Sequence, residues 1–234
     1  MMSPIVQLVT EWDAYAASHG DASVEEFCRY YLAKEQASDD EELFEGATPP
    51  DIDSTLAKLI GRLAAMFGVY SKIALKDTPA LDLDWFYYLN TAFHLGEAQK
   101  KDIIGSQFAE YSTGMDILKR LLKAGHITER EDPNDRRAKL VSVTSKGKQQ
   151  LEEFYRLLYK PTLLMYYPLP DDVKRLLIQL LAPIDKKHSQ ILLKNRSQQI
   201  DEVLQQEFGK QRLKQIFDEM KRQLAEFNRT KQSE

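Results

Sequence analysis

Two short alternating runs, HITER at 126–130 and AKLVSV at 138–143, flank a polar turn containing Asp132, Pro133, Asn134 and Asp135. They are the one convincing β signal in the sequence, and they predict a hairpin. Their surroundings limit where that hairpin can sit. Two short helical stretches precede it, near 98–107 and 112–124, and the second closes at Gly125, a natural helix C-cap. Thr144 followed by Gly147 then reopens a helix to about Leu164, halted by Pro168 and Pro170. The order is therefore helix, helix, hairpin, helix.

Elsewhere the helical period dominates. Residues 4–18 place Ile5, Leu8, Val9, Trp12 and Ala16 at helical spacing. Ser23 with Glu26 has the form of a capping box. It opens a second helix to about Lys34, with Val24, Phe27, Cys28, Tyr31 and Leu32 on its apolar face. On such a face the single cysteine, Cys28, is expected to be a small buried hydrophobe rather than a redox switch. Residues 35–51 are acidic, end in Pro49-Pro50 and read as a linker. Long helices are predicted at 52–76 and 173–194, an aromatic-rich one at 83–95, and a C-terminal helix beyond 195 with a break at Gly209. The fold class is mainly α with one β-hairpin.

Charge is divided unevenly along the chain. Residues 1–55 hold 13 Asp and Glu against two basic residues, whereas 99–150 hold 11 Lys and Arg against seven acids. The positive excess falls on the helix, helix, hairpin segment and points to an anionic partner there. Those elements are the parts of a winged helix-turn-helix, in which the second helix fits the major groove and the hairpin reaches the backbone or minor groove. In YSTGMDILKRLLK, Ile117, Leu118, Leu121 and Leu122 can face a core, leaving Ser112, Thr113, Met115, Asp116 and Lys119 outside. Hydroxyls at a helix N-terminus suit phosphates and base edges.

The stretch GMDILKRLLKAGHITEREDPNDRRAKLVSVTSKGKQQLE is similar to the core signature of the MarR family of transcription regulators. Its matching parts are Gly125, the wing tip Asp135-Arg136-Arg137, the strand Leu140 to Val143, and Thr144 with Gly147. The resemblance implies that Arg137 inserts in the minor groove, that Asp135 orients it by an ion pair, and that Arg136 and Lys139 add contacts to DNA. Gly114 departs from the pattern, since a β-branched residue is usual there and an interior glycine costs roughly 1 kcal/mol relative to alanine. The resulting layout has an acidic helical extension and linker at 1–50 and an extra helix at 195–234. Between them lies a MarR-like core at 51–194, with its winged unit at about 83–147 and dimerisation helices at 52–76, 148–166 and 173–194.

By the same resemblance the protein is a homodimeric repressor of an inverted-repeat operator, released by a small aromatic or anionic effector. Tyr70, Trp85, Tyr88 and His94 can line an effector cavity or fill a core. No cofactor is expected. The four histidines are scattered, without HExxH or CxxC spacing or a Gly-rich phosphate loop, so enzymatic chemistry is not expected. No apolar run approaches the roughly 20 residues that cross a bilayer. The N-terminus lacks a basic region, and one cysteine fits a reducing compartment, so a cytoplasmic protein is expected. The alternative is a winged-helix protein-interaction module that does not bind DNA, and salt-dependent duplex binding separates the two.

Overall fold

The computed structural model describes residues 3–36, 44, 49–78, 82–135 and 137–232. Along it run α1 (Pro4–Ser18), α2 (Val24–Gln36), α3 (Ile52–Leu75), α4 (Leu83–Leu95), β1 (Ala98–Gln99), α5 (Lys100–Ser106) and α6 (Tyr111–Lys123). Then come β2 (Ile127–Glu131), β3 (Lys139–Val143), α7 (Ser145–Tyr166), α8 (Asp171–Lys194), α9 (Ile200–Phe208) and α10 (Lys210–Gln232). The chain divides into two compact units: residues up to 58 with those from 226 onward, and Leu59–Ala225. Most of the predicted linker lies outside the described residues.

The first unit contains the hairpin of α1 and α2. The capping box forms as read: the Glu26 N–H donates to Ser23 Oγ at 3.2 Å, and the Ser23 N–H donates back to Glu26 Oε2 at 2.9 Å. Phe27 is buried, edge-on to Trp12 with ring centroids 5.2 Å apart and 5.6 Å from Tyr15. Cys28 is exposed, against expectation. One helix covers only one stripe of its neighbour, and on α2 that stripe centres on Phe27, leaving Val24, Cys28 and Leu32 uncovered.

In the second unit, α4 starts at Asp82, whose carboxylate accepts from the Asp84 N–H at 3.0 Å, and stops at Gly96, where φ is +73°. Its buried face, Tyr88, Leu89 and Ala92, joins Ile103 and Ile104 of α5 and Leu118 and Leu121 of α6 in one core. Phe154, Leu157 and Leu158 of α7 form a second cluster with Leu75 of α3, and Trp85 and Phe86 pack against both. Thr144 caps α7 by accepting from the Gly147 N–H at 3.1 Å, and its hydroxyl lies 2.8 Å from the Gly125 carbonyl. The capping thus ties the end of α6 to the start of α7.

The hairpin is one part of a three-stranded antiparallel sheet ordered β1-β3-β2. Arg130 pairs with Leu140 in the hairpin register, and Ala98 pairs with Val141 across the other edge of β3. The helical pattern predicts a helix from about residue 98. Two residues are too few to show alternation, and only the edge of β3 makes Ala98 and Gln99 a strand. The expected C-terminal break is present: Gly209 has φ +74° and separates α9 from α10. On α8 no residue is buried.

Candidate nucleic-acid interface

The α6 helix is amphipathic because Ile117, Leu118 and Leu121 turn into the core while Ser112, Thr113, Asp116 and Lys119 stay exposed. Met115 is half-buried and touches the core from its edge. Gly114 is buried at the crossing of α5 and α6. A Cβ there would stand 2.6 Å from two Ile104 side-chain carbons and 3.0 Å from the Tyr88 hydroxyl. Close helix approach, rather than a weakness in the helix, accounts for the glycine where the family pattern favours a β-branched residue. The first turn of α6 has Glu110 at its N-cap without a side-chain cap bond, so backbone N–H groups face outward at the exposed Ser112 and Thr113.

At the wing, Asp132 is buried and organises the turn. Its carboxylate accepts from the Asn134 N–H at 2.9 Å and from Gln99 Nε2 at 2.7 Å. Those bonds, the Asn134 one foremost, hold its pKa below the usual carboxylate range. Asp135 Oδ1 accepts from the Arg137 N–H at 3.0 Å and lies 3.8 Å from Arg137 Nε. The Arg137 side chain is 96% exposed, so this pair adds little to stability. Arg136 lies outside the described residues.

β1 and the residues on either side of it are tied to the wing. Arg130 of β2 forms a bidentate pair with Glu97, which keeps the Glu97 carboxyl low, and Gln99 reaches Asp132 as above. Lys100 lies 2.5 Å from Glu129, and Lys139 lies 3.5 Å from the same carboxylate. Polar ties from Glu97, Gln99 and Lys100 thus link β1 and the start of α5 to the hairpin.

A cleft of about 400 Å³ opens between these parts. Asp135, Arg137 and Lys139 of the wing line it, with Met115 alone of the five predicted α6 residues. Lys100, Lys101 and Tyr111 line it as well, beyond the residues expected from sequence. The adjacent lysines at the head of the first short helix were the available signal. Ser112, Thr113, Asp116 and Lys119 share the exposed side of α6, where Asp116 and Lys119 pair at 3.2 Å.

The four aromatic positions considered for an effector cavity are not gathered in this way. Tyr88 is buried in the core with its hydroxyl lacking a partner, and Trp85 stands edge-on to buried His126 at 5.5 Å. His94, six residues beyond Tyr88, falls on the other side of α4 and is exposed, as is Tyr70 of α3. A cavity of about 240 Å³ lies nearby, lined instead by Phe67, Leu83, Phe86, Tyr87, Tyr155 and Tyr159, among others. In WFYY every helical face is aromatic, so the period alone does not say which ring meets a cavity. Among the described residues no cluster of His, Cys, Asp and Glu could hold a metal, and no helix is long and apolar enough to cross a membrane.

Residues 83–147 match the family model described as a winged helix DNA-binding domain. No curated protein matches the sequence. Among solved structures, BpsR of Bordetella bronchiseptica, whose DNA binding is regulated by 6-hydroxynicotinic acid, is similar at a TM-score of 0.52 and 20% identity. That likeness covers 58% of this chain and 97% of the BpsR chain. CouR of Rhodococcus jostii bound to p-coumaroyl-CoA gives 0.50 and 20%, covering 55% of this chain and 90% of its own. A mutant MarR from E. coli in complex with operator DNA gives 0.50 and 19%, over 55% and 92%. With the cleft, the wing and the helix order in place, the chain contains a winged helix domain at 83–147 and, over 58% of its length, has the fold of the MarR-family transcription regulators.

Proposed function

We propose that the protein is a sequence-specific, double-stranded DNA-binding transcription regulator acting as a homodimeric repressor. The observation that carries this is the shared cleft of α6 and the wing, where exposed Arg137 lies beside Asp135 across from Tyr111 and Met115 of α6. The first turn of α6 enters the major groove, with Ser112, Thr113, Met115, Asp116 and Lys119 toward base edges and phosphates. Arg137 reaches the minor groove, and Arg136 and Lys139 meet phosphate.

Dimerisation through α3, α7 and α8 accounts for apolar surface that this chain leaves uncovered. Leu176, Leu177, Leu180, Leu181 and Ile184 of α8 are each 38–49% exposed. Covering such half-exposed side chains gains about 1 kcal/mol apiece, given roughly 1.5–3 kcal/mol for complete burial. Two winged units related by a two-fold axis read an inverted repeat with half-sites about one helical turn apart, or a multiple of it. The layout follows as an N-terminal acidic extension to residue 50, a core at 51–194 and a C-terminal appendage. A small aromatic or anionic effector between the winged unit and α3 and α7 would release the operator, with the cavity beside Phe86 and Tyr155 as its seat.

Selection of bound duplexes from a random pool, followed by titration against salt, tests the proposal. The expected result is an enriched inverted repeat whose log affinity falls steeply with log salt as counterions are released. No duplex binding at any salt, with or without residues 1–50, would reject it.

A further inference from the structure

A second cavity lies at the corner of α8 and α9. Asn195, buried where α8 ends, donates from both its backbone and side-chain N–H groups to the Ile191 carbonyl at 3.0 Å, and its own carbonyl accepts from the Gln198 N–H at 2.9 Å. The corner so fixed leaves a cleft of about 380 Å³, with walls that include Ile191, Val203, Leu204 and Phe208. That volume falls in the range of roughly 300–1,000 Å³ typical of small-molecule sites. Its rim carries Lys187, His188 and Arg196, and the one acid there, Glu207, is 3.6 Å from Lys187. Apolar walls and a donor-rich rim suit a ligand with an apolar body and a single anionic head.

The corner also bears on the turn between α5 and α6. Arg196 donates to the carbonyl of Ala109, two residues before α6 begins. Its neighbour Phe108 holds φ at +51°, a left-handed conformation that a bulky residue rarely adopts. Leu193 approaches the last turn of α5 just before it, with Cδ2 3.7 Å from where a Cβ on Gly105 would stand. Arg196 therefore both faces the cleft and holds the turn that sets the position of α6.

We propose that the α8–α9 cleft binds a small amphiphilic carboxylate, whose head pairs with Arg196 and draws it from the Ala109 carbonyl. The turn between α5 and α6 loses that restraint, and operator affinity falls. The binding half stands on the cleft alone, and the regulatory half rests on the proposed DNA-binding function.

Decanoate titrated calorimetrically into the full chain tests the site, with decanol as the uncharged control. The expected result is saturable binding of one decanoate per chain, at least tenfold tighter than decanol. Val203→Phe, which fills the cleft, and Arg196→Gln, which removes the charge, should each weaken it at least tenfold while thermal melts remain cooperative. Equal binding of decanol, or binding that neither variant alters, overturns the site. So does a parent chain that takes no decanoate while Val203→Phe loses its dimer, which assigns the cleft to a second copy. With decanoate seated, operator affinity should drop at least fivefold, and an unchanged value overturns the regulatory half. A chain that binds decanoate as expected and no duplex at all sinks the regulatory half together with the DNA-binding function, and leaves the site standing.

Discussion

At the scale of single residues, two glycines permit close backbone approach and one arginine stands exposed at the wing. Gly147 admits the His126 backbone carbonyl so closely that a Cβ would collide with it at 2.1 Å, whereas the obstacle at Gly114 is a side chain, that of Ile104 at 2.6 Å. Gly147→Ala should therefore cost more than Gly114→Ala. The latter is expected to lose about 1–3 kcal/mol by overpacking, against a helix-propensity gain of roughly 0.5–1 kcal/mol. Urea denaturation of both variants checks the order, and a stabilised Gly114→Ala would show that α5 and α6 do not cross as closely as described. Arg137→Ala should weaken operator binding at least tenfold and leave the melting temperature unchanged, because the side chain is exposed and free of packing. Equal operator affinity in a direct binding assay would remove Arg137 from the interface.

At the scale of elements, the junction of α6, β2 and α7 centres on His126. Its ring is buried against Trp85, Nδ1 has no partner, and burial first, then the charge of Lys146, pushes its pKa below the ordinary 6.5. The neutral ring is thus the folded form, and the unfolded chain binds the proton more readily. Stability contributed here is complete above about 6.5 and is lost as pH falls below it. Thermal melts between pH 7.5 and 5 should show a falling midpoint that flattens in His126→Phe. Identical slopes in the two proteins would mean that the ring is solvated. The helices and the hairpin were legible because each has a period and a stop: the capping box of α2, the glycine after α6 and the Thr144 cap of α7 all form as spelled out in the sequence. β1 was not, since a two-residue strand exists only through its partner.

At the scale of the molecule, the apolar stripes of α3 and α8 are exposed in the single chain, with Leu181 at 44% and Ile184 at 49%. Leu181→Lys should therefore leave helix content intact while shifting the protein toward monomer in sedimentation velocity. An unaltered dimer would take α8 out of the interface. Sequence by itself determined the helical pattern, the wing and the residues at its tip, because period, capping chemistry and turn chemistry act between residues close along the chain. Tertiary structure alone decided which aromatic of WFYY meets a cavity, that Cys28 stays exposed, and that Lys100 and Lys101 join the wing at one cleft. Those outcomes depend on which face a distant element covers, and an amphipathic stripe records that a face is apolar without recording what will lie against it.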